Sequence, residues 1–420
     1  MPSLPRRDQS CRPRTTPGIT PTGGPQRRPG RHPCPLSSTL PRPVLRRSFG
    51  DGADVSLFTL GTMRALQSPE QMLQVLRATV AAGINHLETA PAYGPAEAFL
   101  GKALAQLNKE GSAPADGGWV ITSKLLPGQS FQAGRKALEA SLGRLGIDTL
   151  DNLAIHGLNL DSHLDWVLSG EGAQLIDWAL TSGKVRQVGF SSHGSNALIE
   201  RAIASDRFRF CCLHLHLLDP TRMPLAQRAL ERSMGVLAIS PADKGGRLQA
   251  PSDLLKADCS PFQPLQLAYR FLLAAGISTL TVGAQSAADL KLARSLATSD
   301  GPLDLEERRA LAQLEQLRES RLGHELCGQC RACLPCPNDV PIPELLRLRN
   351  LAHGHDLMEF AGERYNLIGR AGHWWETVDA SQCDRCGDCL PRCPHQLPIP
   401  ELLAETHRLL AAAPRRRLWG

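Results

Sequence analysis

Eight of the thirteen cysteines fall in two tight groups near the C-terminus, and their spacing is that of metal ligands rather than of a disulfide framework. The second group reads Cys383-x2-Cys386-x2-Cys389-x3-Cys393-Pro394, a run that holds [4Fe-4S] clusters. In such a run the first three thiolates bind one cluster and the fourth crosses to the other. The first group, Cys327-x2-Cys330-x2-Cys333-x2-Cys336-Pro337, is one residue shorter before its last cysteine. Crossover assigns Cys327, Cys330, Cys333 and Cys393 to one cluster and Cys383, Cys386, Cys389 and Cys336 to the other, giving two [4Fe-4S] clusters. Two structural zinc sites are the competing reading, because zinc also accepts four thiolates, but zinc does not need triple runs closed by Cys-Pro. Residues 336–346 also match 393–403 almost residue for residue, as expected of a duplicated cluster-binding half. Cys11, Cys34, Cys211, Cys212 and Cys259 lie outside the pattern and read as buried or tail thiols.

A second constellation consists of Glu88 in His-Leu-Glu-Thr-Ala, Tyr93 in Pro-Ala-Tyr-Gly, Lys124 in Ile-Thr-Ser-Lys and His156 in Leu-Ala-Ile-His-Gly. What must position them is an alternation of short apolar runs with longer amphipathic ones. Strands are expected at 55–60, 85–90, 119–124, 150–156, 185–191, 208–217, 235–240 and 278–283, and helices at 69–82, 96–107, 132–145, 173–182, 196–204, 223–234, 264–275 and 287–296. Strand-helix units repeating about every thirty residues over roughly 245 residues predict an α/β fold of the (β/α)8 TIM-barrel type. No Gly-x-Gly-x-x-Gly follows the first strand, which disfavours a doubly wound sheet. In a barrel the ends of the second, third and fourth strands share one face, so the four residues converge. A charged helix over 304–322 then leads to a small, mainly helical ferredoxin-like 2x[4Fe-4S] domain at 323–413.

Composition removes other classes. Residues 1–48 hold ten Arg, no Lys, one acid (Asp8) and eleven Pro, a local charge of +9 within a whole-chain +6. Such a stretch is expected to be a disordered tail. The remainder has 37 basic and 40 acidic residues, a balance of −3, so no nucleic-acid partner is expected for the folded body, which begins at residue 49 and whose barrel ends at 303. No run of eighteen apolar residues exists, hence no membrane partner is expected either. Clustered ligand cysteines favour a reducing, cytoplasmic setting.

On these residues the chain resembles the aldo-keto reductase family, in particular members with a C-terminal dicluster domain. The motifs are Leu60-Gly-Thr-Met-Arg64, the segment 83–104 with Glu88 and Tyr93, Lys124, His156, Val188-Gly-Phe-Ser191 and Gly245-Gly-Arg-Leu248. The resemblance implies hydride transfer from a nicotinamide cofactor to a small-molecule carbonyl substrate. Tyr93 would be the general acid, Lys124 would lower its pKa from about 10, and His156 would orient the substrate oxygen. Ser191, Ser240, Lys244, Gly245, Gly246 and Arg247, with Gly283, Gln285 and Ser286 opening a helix, would hold the cofactor. Lys244 and Arg247 favour NADPH. A ferredoxin or other redox protein is an implied partner. Two departures stand out: Glu88 replaces the family's usual Asp, and Leu215 replaces a Tyr that stacks on nicotinamide. The strand motif Cys212-x-His214-x-His216 admits a metal site, against the plainer reading of barrel lining. An iron-sulfur electron-transfer protein, or a redox sensor whose barrel binds nicotinamide with little turnover, is the alternative function.

Overall fold

The computed structural model describes residues 45–114, 118–242 and 244–412. The tail expected at 1–48 lies outside the described residues up to 44. Its last residues are not tail: Arg46–Arg47 pairs antiparallel with Val55–Ser56. The Arg47 guanidinium donates to the carbonyls of Ile277, Leu273 and Asp300, at 2.6, 2.8 and 3.2 Å.

Strands Phe58–Gly61, His86–Glu88, Val120–Leu125, Leu150–His156, Val185–Ser192, Phe210–His214, Gly235–Ile239 and Thr279–Gly283 form a closed barrel. Each pairs in parallel with the next, and the eighth returns to the first with Leu280 opposite Phe58. The expected (β/α)8 barrel is therefore the fold. The sixth strand stops at His214, short of the expected 217, because the chain turns back through a bridge between His216 and Asp219. Serines start several of the helices: Ser68, Ser130, Ser195 and Ser252 each accept a backbone N–H three residues on. The periodicity missed two short helices, Asp161–Ser169 and Asp253–Asp258.

Inside the barrel a buried polar belt crosses six strands. Thr59 bonds Thr279 at 2.7 Å and His86 at 2.8 Å, His86 bonds Thr122 at 2.7 Å, Asn152 donates to Thr122 at 3.1 Å, and Gln187 donates to Asn152 at 2.6 Å. Each member satisfies its neighbour, so the belt escapes the cost of unpaired buried polar groups. Burial holds the His86 imidazole down at about 3, hence neutral. Phe49 closes the barrel floor below it, packing on His86 and Phe210.

Beyond the barrel, helix Leu305–Leu322 opens with a capping box in which Asp304 and Glu307 satisfy each other's backbone N–H. Glu307 also takes a two-pronged bond from Arg270, at 2.6 and 3.0 Å, and both side chains are more than nine-tenths buried. Helices Ile342–His355 and Ile399–Leu410 begin at the two copies of Ile-Pro-Glu-Leu-Leu, with Pro in the first turn, where a missing N–H breaks no helical bond. The duplication extends to the backbone. Gln329 and Arg385, Arg331 and Gly387, and Asp339 and Gln396 occupy matching positions around the cysteines, and all six have positive φ between 51° and 83°.

This C-terminal region packs on the barrel. Leu351, Leu357 and Phe360 share a core cluster with Leu218, Leu248, Leu255 and Leu267, while Arg321 binds Asp258 and Ser252 donates to the His355 carbonyl at 2.8 Å. Arg270 also donates to the carbonyls of Gly301 and Pro302, so its pair with Glu307 ties helix Pro264–Ala274, which precedes the eighth strand, to the bridging segment. Removing one partner of a buried pair strands the other charge, and Glu307→Ala is expected to cost about 3 kcal/mol of unfolding free energy. Urea denaturation checks it; an unchanged midpoint would show that the pair does not fasten this junction.

Candidate active site

The barrel places each catalytic candidate at a strand's C-terminal end. Glu88 ends the second strand, Lys124 lies one residue before the end of the third, His156 ends the fourth, and Tyr93 sits in the turn after Glu88. All four come together. The Tyr93 hydroxyl donates to Glu88 Oε1 at 3.0 Å and accepts from Lys124 Nζ, which also forms an ion pair with Glu88. Lys124 Nζ lies 4.7 Å from the centre of the Tyr93 ring, and the His156 ring stands edge-on to that ring at 6.0 Å. Glu88 therefore reaches both partners despite its extra methylene. Its side chain and that of Lys124 are each only 4% and 2% exposed, so neither charge has water to fall back on.

Electrostatics revise one expectation. Burial first, then Glu88, push the Tyr93 hydroxyl above its ordinary pKa, and the opposing pull of Lys124 is weaker. For Lys124 burial favours the neutral amine, but Glu88, Tyr93 and Cys212 outweigh it and hold the ammonium above its usual value. Tyr93 is thus a protonated phenol at neutral pH, with a proton available for a general-acid role.

Beside the tetrad a cavity of about 830 Å³ opens between the barrel mouth and the C-terminal region, within the size range of small-molecule sites. Its barrel wall includes Asn159, His193, His214, His216 and Lys244; its far wall includes Arg331, Cys336, Trp374 and Trp375. His193 and His214 approach at 3.3 Å between Nε2 atoms. Burial, aided by Lys244 and Arg222, pulls His193 down to about 2, and burial pulls His216 to about 3, so these imidazoles are neutral. Leu215 is buried in the main core while His214 and His216 face the cavity. Among the described residues no group of three or more His, Cys, Asp or Glu is arranged to hold a single metal ion, and Cys212 stands instead beside Lys124, its thiol raised to about 12 chiefly by burial.

The expected cofactor strip is only partly available. Lys244 lines the cavity, but Arg247 is engaged by Glu363 and Glu359 of the C-terminal region. Gly246 faces Leu357, and a Cβ on Gly245 would meet the Pro241 carbonyl at 2.3 Å. Gly283 lies under the Arg64 side chain. The helix expected to open at Ser286 begins as a 3-10 turn, Ala287–Leu290, and Asp289 takes the N–H groups of both Gln285 and Ser286, the donors a phosphate would need. The Ser191 hydroxyl accepts from the Gly157 N–H, and the Ser240 carbonyl accepts from Lys244 N. The residues present therefore fit the reactive end of a nicotinamide cofactor, while the strip for its other end is filled by the chain's own side chains.

Sequence reasoning missed Glu359 and Glu363, which face this strip, and Trp374, which faces the cavity beside His156, because nothing local ties them to the barrel. The cysteines fare better. Cys327, Cys330, Cys333 and Cys393 line one cavity with Ile342, Leu346, Leu397 and Ile399, and Cys389 lies within electrostatic reach of Cys383, Cys386 and Cys336. These are the two crossed sets, every cysteine in them a free thiol, and the arrangement suits iron-sulfur ligation.

Comparison with known proteins agrees with this geometry. Residues 57–251 match the aldo/keto reductase family and residues 326–397 a 4Fe-4S dicluster domain. A 6-dehydroglucose reductase of Novosphingobium aromaticivorans is 30% identical over 235 residues, which is 51% of this chain and 74% of that protein. An aldo-keto reductase of Mycolicibacterium vanbaalenii is 27% identical over 251 residues, covering 58% of this chain and 83% of its own length. An aldo-keto reductase structure from Bacillus halodurans aligns with a TM-score of 0.53 at 22% identity, over 64% of this chain and 95% of its own, a likeness of fold. From the barrel, the tetrad at its mouth and these relatives together it follows that the chain belongs to the aldo/keto reductase family, an oxidoreductase carrying a C-terminal 4Fe-4S dicluster domain.

Proposed function

We propose that this chain is an NADPH-dependent reductase of a small-molecule carbonyl, with Tyr93 as general acid and with two [4Fe-4S] clusters in the appended domain. The observation that carries the reading is the Tyr93 hydroxyl held between Lys124 and Glu88 next to the His156 imidazole. A bound nicotinamide would supply hydride to the carbonyl carbon. Tyr93, protonated at neutral pH, then delivers its proton to the developing alkoxide. The Lys124 ammonium, kept charged by Glu88, stabilises the tyrosinate left behind. His156 directs the carbonyl oxygen toward Tyr93. Lys244, on the cavity wall, would meet cofactor phosphates and supports NADPH. Cys327, Cys330, Cys333 and Cys393 would hold one cluster, and Cys336, Cys383, Cys386 and Cys389 the other. A reducing, cytoplasmic setting suits cysteines grouped as cluster ligands, and a ferredoxin or similar redox protein is the partner that the clusters suit. Among the described residues no helix is long and apolar enough to cross a membrane.

A specific observation favours a second reading, a redox sensor that binds nicotinamide with little turnover: Arg247 and its neighbours are closed off by the dicluster domain. In that case NADPH would reduce the clusters, read by electron paramagnetic resonance, without carbonyl turnover.

Anaerobically prepared protein is expected to contain about eight iron and eight sulfide per chain; stoichiometric zinc without sulfide would dispose of the cluster assignment. It should oxidise NADPH in the presence of an aldehyde or quinone, and Tyr93→Phe should lower kcat by at least about a hundredfold. Cofactor binding without turnover across a broad carbonyl panel would rule out the reductase reading. The pH profile carries a sign. Wild-type reduction should stay level through neutral pH and decline only above the ordinary tyrosine value of about 10. Glu88→Gln removes the negative charge that raises Tyr93 while leaving Lys124 in place, so the alkaline limb should move toward neutrality; a limb at equal or higher pH would contradict the electrostatics.

A further inference from the structure

Trp374 belongs to the dicluster domain, yet its indole lies against the catalytic histidine. The ring centres of Trp374 and His156 are 4.9 Å apart at 61°, and those of Trp374 and His193 are 5.7 Å apart at 89°. Gly157, immediately after His156, has φ 76°, and a Cβ there would lie 2.5 Å from Trp374 Cζ3. The barrel thus leaves out a side chain at a position where any would collide with the indole. The ring is carried on a 3-10 turn, Gly372–Trp374, and with Trp375 forms part of the cavity wall opposite His193 and His214.

These rings form a row. Tyr93, His156, Trp374, His193, His214 and His216 follow one another with centre-to-centre distances of 6.0, 4.9, 5.7, 4.3 and 5.6 Å. The imidazoles at the cavity end are neutral, so the row of rings itself is flat and uncharged, with Lys244 and Arg222 beside it. A planar π-system can lie against an indole edge or face with a gain beyond simple burial, whereas a puckered or branched group gains only contact area. Next to His156, that difference acts where a carbonyl must reach Tyr93.

We propose that Trp374 is a substrate-binding wall supplied by the dicluster domain, and that it selects carbonyls conjugated to a planar ring, aryl aldehydes and quinones, over saturated ones. This rests on the carbonyl-reductase reading above. The consequence is that the appended domain shapes substrate choice in addition to carrying clusters.

The test uses the full-length, cluster-loaded protein with benzaldehyde and its saturated counterpart cyclohexanecarbaldehyde. Wild type should prefer benzaldehyde in kcat/KM. Trp374→Ala should erase about tenfold of that preference through a raised KM for benzaldehyde, with kcat changed little, and Trp374→Phe should restore it. Equal losses of kcat for both aldehydes, or an unchanged preference, would overturn the proposal. Iron and sulfide content verifies that each variant keeps its clusters; if Trp374→Ala does not, Trp374→Leu replaces it, keeping bulk without the ring, and must lose the same preference. Binding is measured separately by calorimetry in the Tyr93→Phe background, with and without the Trp374 substitution. Benzaldehyde binding that depends on Trp374 upholds the wall even if no carbonyl is turned over, in which case it is the reductase reading that fails. Binding indifferent to Trp374 removes the wall whatever the turnover.

Discussion

A buried ammonium facing a buried carboxylate is the constraint around which the barrel mouth is organised. Lys124 and Glu88 stand on neighbouring strands with almost no exposure, and neither could remain charged alone. Paired, they hold the Tyr93 hydroxyl between them. The same pair explains why Tyr93 is raised rather than lowered. The carboxylate adds to burial on the side of the neutral phenol, and the ammonium offsets only part of the effect. A longer carboxylate does not disturb this arrangement, because the turn after the second strand brings Tyr93 back over Glu88.

The rest of the site depends on the surface that the dicluster domain presents to that mouth. Its leucines and Phe360 bury against loops after the sixth and seventh strands, and its acids take Arg247 out of circulation. Its indole settles on Gly157. The outcome is a cavity with one wall of barrel imidazoles and another that includes Cys336, a cysteine of the cluster-binding run. Barrel and domain therefore meet at the site itself, and the cluster region is a neighbour of the chemistry.

Much of this was written locally. Serine caps, apolar periodicity and the spacing of strand ends made the barrel and its tetrad legible, since each depends on residues a few positions apart. The crossed cysteine sets were legible for a similar reason: ligand spacing is a local rule, and the repeat carried it twice. The covering of the expected cofactor strip at Arg247, Gly283, Gln285 and Ser286 was not legible. Glycines and cations after late strands resemble a phosphate cradle, but whether they are open depends on Glu363, Leu357, Arg64 and Asp289, three of them distant in sequence. Likewise the polar belt through Thr59, His86, Thr122, Asn152 and Gln187 was visible only as isolated polar letters within apolar strands.

By itself the sequence determined which residues could do chemistry and which strands and loops would carry them, because periodicity and ligand spacing are short-range properties of the chain. Only the tertiary structure decided the proton affinity of Tyr93, the closing of Arg247 and the seat of Trp374 beside His156. Each of these depends on desolvation and on contacts between segments far apart in the chain, and no local pattern encodes them.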